Sequence, residues 1–127
     1  MPDIKSLLLV FAGSGIGGVL RYALQYWFAA RPSGPFPAGT FAVNILGSFC
    51  IGIIYGLSAK YAWLTAEWRL ALATGLCGGF TTFSAFAAEN VMLLRNGQYA
   101  TAMLYILLSI IFGIAFTFAG ISIIKHP

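Results

Sequence analysis

The fold class that the sequence predicts is an all-α membrane protein of four transmembrane helices, the third broken near its middle. Three observations carry this. Of the 127 residues, 60% are hydrophobic and 8% charged, which leaves too little polar surface to keep a domain of this size in water. Four apolar runs are each long enough to cross ~30 Å of hydrocarbon, which takes about 20 helical residues. The third run is interrupted by residues 75–90, GLCGGFTTFSAFAAEN, where glycines, threonines and a carboxylate stand at membrane depth. The runs use up nearly all of the chain, so residues 1–127 form a single transmembrane domain.

The first span covers residues 4–28. It is too long for a signal-peptide core and has no cleavage site, so it is expected to stay as a span. Its GSGIGG (residues 13–18) matches the letters of a dinucleotide-binding fingerprint, but no strand precedes it and the next acid is Glu67. Gly13 and Gly17, four apart, instead form a small-residue face for close helix packing. Arg21 and Gln25 share a face near the end of this span. Arg21 is placed either to snorkel to the interface or to act as an electropositive lure at a pore mouth. Tyr22, Tyr26 and Trp27 suit the interfacial aromatic belt.

Prolines and a glycine make residues 30–37 a loop. The second span covers residues 39–58. Thr40, Asn44 and Ser48 recur every four residues and make one polar stripe along it. Asn44 suits an interhelical hydrogen bond and a pore lining equally. Gly52 and Gly56 form a second small-residue pair. Residues 59–68 read as a short interfacial connection. The third span, residues 69–94, is long enough to accommodate a break at residues 78–82. A helix interrupted in lipid must re-satisfy its freed backbone groups, so the break should be buried in protein or line a cavity. Arg95-Asn96-Gly97 is a tight turn, and the fourth span covers residues 99–124 with Tyr105, Ser109 and Thr117 on one ladder and Gly113 on the missing rung. Cys50 and Cys77 lie in apolar runs and read as small buried apolar residues. His126, in the tail, is assigned no role.

The net charge of +4 is dispersed, with no basic cluster for nucleic acid. Lys5, Lys60, Arg69 and Lys125 flank the spans on one side, against Arg31, Arg95 and Arg21 on the other. This near balance gives the positive-inside rule almost nothing to act on. With no internal repeat, symmetry must come from association, and a chain inserted both ways can pair as an antiparallel homodimer.

These residues together resemble the small dual-topology fluoride channels, the Fluc (CrcB) family. The shared features are Leu20-Arg21, Gly39-Thr40 followed by Asn44, Gly75 with Gly78-Gly79, and Thr81-Thr82-Phe83-Ser84-x-Phe86 leading to Glu89. The resemblance implies a homodimer in the plasma membrane, the inner membrane of a bacterium, with two pores that export fluoride. It implies a fluoride path along Thr40, Asn44, Phe83, Ser84, Phe86, Tyr105 and Ser109, with Arg21 and Glu89 beside it. It also implies a structural sodium ion held by the backbone carbonyls of Gly78 and Thr81. Departures stand at Ala85 and Gly113, where family members often carry hydroxyls. The chemistry is coherent: neutral donors can replace the water around fluoride and still release it, and an aromatic ring presents a positive edge to an anion.

The competing reading is a proton-coupled exporter resembling the small multidrug transporters, but their essential Glu lies in the first span, and here Glu89 follows the third-span break. A non-transporting scaffold leaves the break and the polar stripes without purpose. No nucleophile–base pair suggests an enzyme.

Overall fold

Four helices of this computed structural model are long and apolar enough to cross a membrane: Ile4–Ala29, Ala38–Lys60, the interrupted Ala66–Arg95 and Tyr99–Ile124. The structure describes residues 1–32 and 34–125; Ser33 of the expected loop, the Lys125 side chain and His126 lie outside the described residues. Side-chain caps start the first helix and the third crossing. Asp3 accepts the Ser6 amide at 2.9 Å and caps the first helix. The Ser6 side chain and, next, its amide hold the Asp3 carboxyl below its ordinary value. The Thr65 hydroxyl accepts the Trp68 amide, so the third crossing starts at Ala66, three residues before its predicted start at Arg69. The second helix runs on to Lys60, whose Nζ reaches the Ile124 carbonyl at 3.1 Å. The expected turn is present, with Gly97 at φ 75°.

The third crossing is not one regular helix. Leu70–Cys77 is wound as a π-helix, which places an extra residue in each turn. An α-helical turn, Gly78–Phe80, follows. Thr81 (φ −94°, ψ 159°) and Thr82 (φ −150°, ψ 114°) are extended, and a new helix covers Phe83–Arg95. The interruption is local and bends the axis only slightly. It occupies the last two residues of the expected 78–82 break, beyond the glycine pair. Gly78 keeps α-helical dihedrals, φ −62° and ψ −39°. At Gly79 a side chain would overlap the Ser14 backbone, so that glycine serves close packing against the first helix.

Small residues set the packing. Gly13 and Gly17 are buried against the third crossing, where a methyl on either would overlap the Ala71 or Leu76 carbonyl. Gly52 meets the Thr117 carbonyl and Gly120 the Phe49 carbonyl, which draws the second and fourth helices together. Both small-residue pairs of the sequence thus lie at helix contacts. Leu64, from the 61–65 connection, packs with Ile54, Ala73 and Cys77 in the core at that end. The opposite faces of the first and fourth helices expose Phe11, Ile16, Val19, Ile110, Ile114 and Phe118, as lipid contact demands.

Candidate functional site

The break is held by one side chain. Asn44 Oδ1 accepts the Thr82 amide at 2.8 Å, and Asn44 Nδ2 donates to the Thr82 carbonyl at 3.2 Å. The Thr82 hydroxyl accepts the Ala85 amide at 3.2 Å and caps the helix that follows. These diversions have a consequence for the backbone. The Thr82 amide no longer closes a helical bond on the Gly78 carbonyl, nor the Ala85 amide on the Thr81 carbonyl. The carbonyls of Gly78 and Thr81 thereby lose these helical partners, and both residues line a cavity.

That cavity, about 370 Å³, opens between the second, third and fourth helices. Asn44, Ser48, Thr82, Phe83, Phe86 and Ser109 line it. Phe83 is 79% exposed, while Phe86 is half-buried with its ring 4.9 Å from that of Tyr105 at 63°. The two phenylalanine rings lie 5.7 Å apart. The Ser109 hydroxyl is buried and has no partner among the described residues. Other hydroxyls are spent locally: Ser48 donates to the Asn44 carbonyl, and Thr117 to the carbonyls of Gly113 and Ser48. Ser84 is exposed, 3.4 Å from the Thr82 hydroxyl. Gly113 faces the Ser48 hydroxyl across a groove that Ser109 and Thr117 also line, and offers no donor there.

A second cavity, about 400 Å³, lies at the end of the first helix and the start of the second. Gln25, Arg31, Thr40 and Glu89 line it. A chain of hydrogen bonds leads from Gly79, beside the break, to this second cavity. Arg21 Nε donates to the Gly79 carbonyl at 3.1 Å and Nη1 to Gln25 Oε1 at 3.2 Å. Gln25 Nε2 donates to Thr40 Oγ1 at 3.1 Å. Thr40 donates to Glu89 Oε2 at 2.7 Å, and the Tyr105 hydroxyl to Oε1 at 2.8 Å. Thr40 and Tyr105 are buried, at 2% and 0% exposure. Glu89 thus receives two short donors, one on each oxygen.

The predicted residues divide into two groups. Asn44, Phe83, Phe86, Ser84 and Ser109 gather with Gly78 and Thr81 at the break. Thr40, Glu89 and Tyr105 meet at the neighbouring junction, which Phe86 joins through its contact with Tyr105. Arg21 is turned inward onto the Gly79 carbonyl rather than free to snorkel. Gln25 is the residue whose part the sequence concealed. Its spacing from Arg21 was visible, but its partner Thr40 lies on another helix. Among the described residues no three His, Cys, Asp or Glu side chains cluster as a metal site.

Residues 8–121 match a family described as CrcB-like protein, Camphor Resistance (CrcB). The chain is 46% identical over 122 residues to a protein of Leptospira interrogans serogroup Icterohaemorrhagiae serovar copenhageni, covering 96% of both chains. It is 47% identical over 118 residues to one of Phocaeicola vulgatus, covering 93% of this chain and 97% of the relative. It is 45% identical over 117 residues to one of Azobacteroides pseudotrichonymphae, covering 92% and 94%. All three are named fluoride-specific ion channel FluC. They are ion channels by name rather than enzymes, and they lend no support to the multidrug-exporter reading.

Proposed function

Because the chain belongs to the CrcB family, we propose that it conducts fluoride out of the cytoplasm through the groove at the third-helix break. The observation that carries this reading is the unspent Ser109 hydroxyl, buried in the same groove as the phenylalanine pair. A buried donor without a partner is costly in a membrane, and a small anion passing the groove supplies one. Asn44 adds a donor. Its amide carries two hydrogens, and Thr82 takes one of them. The helix beginning at Phe83 turns its amide end, the positive end of its dipole, towards the break. Neutral donors and ring edges of this kind bind fluoride without trapping it.

The reading extends to an antiparallel homodimer with two pores in the bacterial inner membrane. A second copy would cover Phe83, 79% exposed, and Gly78, where no neighbour stands closer than the Ala73 carbonyl. Near-balanced flanking charges allow both orientations. At a two-fold axis, the Gly78 and Thr81 carbonyls of the two copies would make four neutral oxygens suited to a sodium ion, whose charge would hold the subunits together. Both carbonyls have been relieved of their helical amides, so they fit that role. In a bacterium deprived of its own fluoride export, expression of this chain should restore growth in fluoride medium. Growth no better than the empty host contradicts the proposal.

A further inference from the structure

We propose that Gln25 is a positioning residue of the conduction path: it sets the direction of the hydrogen bonds so that Thr40 presents its proton to Glu89. The inference rests on the fluoride-channel reading. Its starting point is that arginine only donates. Arg21 Nη1 lies 3.2 Å from Gln25, so the amide oxygen of Gln25 must face the guanidinium. The opposite orientation would set an NH₂ group against an NH₂ group. Gln25 Nε2 then necessarily faces Thr40, 3.1 Å away, and donates to its hydroxyl oxygen.

A threonine hydroxyl has one proton. With its oxygen already accepting from Gln25, that proton points to Glu89 Oε2 at 2.7 Å. Tyr105, wholly buried, donates to the other carboxylate oxygen. Both protons are directed at one carboxylate, Glu89, which lines the second cavity. An anion arriving there and displacing Glu89 meets donors already turned towards it. Without Gln25, the Thr40 hydroxyl loses one of the two side chains that fix its direction. Arg21 is itself anchored on the Gly79 carbonyl beside the break. The backbone at the break and the donor direction at the junction are therefore linked through Gln25.

The test compares parent, Gln25→Met, Thr40→Val and the double variant in fluoride-loaded liposomes. Efflux is read by electrode, with melting temperature measured on the same samples. Gln25→Met should slow efflux about tenfold, the scale of coupling within one hydrogen-bonded network. The double variant should be no slower than Thr40→Val alone, because Gln25 acts only through Thr40. Parent-rate efflux in Gln25→Met overturns the proposal, as do losses that multiply in the double variant. Should Gln25→Met not fold, Gln25→Glu keeps the length and the Arg21 partner but removes the donor, and the same loss is expected. Infrared spectra give a second readout, since Glu89 is one of only three acidic side chains. Its carboxylate stretch, assigned by subtracting Glu89→Gln, should shift in the Gln25 variant, and an unmoved band overturns the proposal. A parent that releases no fluoride removes the channel reading and this inference with it. A conducting parent with an equally fast Gln25→Met variant removes this inference alone.

Discussion

Asn44 and Thr82 exchange two hydrogen bonds across the membrane interior, amide to Oδ1 at 2.8 Å and Nδ2 to carbonyl at 3.2 Å. The side chain thereby stands in for the helical partners that Thr82 lacks, and an interrupted helix becomes tolerable in lipid. Asn44→Asp keeps the acceptor but sets a carboxylate oxygen against the Thr82 carbonyl. Loss of one bond and the unpaired carbonyl should destabilise the chain by about 1–3 kcal/mol. Fluoride efflux should also collapse while the assembly survives on a sizing column. Unchanged melting and unchanged efflux together would contradict both roles of Asn44.

The two phenylalanines should respond differently. Phe83 is 79% exposed in the chain, whereas Phe86 packs edge-on against Tyr105. Phe83→Ile should leave the stability of the single chain nearly unchanged and still cost most of the efflux, because it deletes the ring edge. Phe86→Ile should lose efflux and also the aromatic contact, about 0.5–1.5 kcal/mol. Normal efflux in both variants would reduce the rings to packing.

Two glycines of the first helix make a paired stability test. A methyl at Gly17 overlaps the Leu76 carbonyl, while at Gly15 nothing stands within 4 Å. Gly17→Ala should force the first and third helices apart and abolish folding. Gly15→Ala should be neutral or stabilise by up to about 1 kcal/mol through helix propensity. Equal melting of the two variants would refute this view of the helix packing.

Gly78 tests the proposed sodium site. The chain itself has room for a side chain there: the nearest atom, the Ala73 carbonyl oxygen, is 3.8 Å from the point a methyl carbon would occupy. Gly78→Val should therefore disrupt association more than folding of the single chain. Replacing sodium by N-methylglucamine should weaken the parent dimer in detergent, and light scattering reads both effects. A Gly78→Val protein that dimerises normally, and a parent indifferent to sodium, would remove the axial site.

Much of this was legible in the sequence because membrane spans are long and their rules are strict. The four crossings end within three residues of their predicted bounds, and the Gly13–Gly17 and Gly52–Gly56 pairs lie at contacts. What was misread had a common cause. Glycine permits a backbone departure but does not compel one, so Gly78-Gly79 drew attention from Thr81-Thr82. There the cap formed by the Thr82 hydroxyl and the clamp from Asn44 fix the break. The Asn44–Thr82 pair spans 38 positions, and the Gln25–Thr40 bond joins two helices across the loop. Neither partnership leaves a trace in local periodicity. The π-winding of Leu70–Cys77 left none either.

The central claim is that the groove holding Asn44, Phe83, Phe86 and Ser109 passes fluoride. Its most direct test is ion-selective electrode recording from liposomes reconstituted with purified protein and loaded with fluoride or with chloride. The expected result is rapid fluoride release with no chloride release, and fluoride release reduced about tenfold or more in Phe83→Ile. Chloride release matching fluoride, or no release of either above protein-free liposomes, would contradict it.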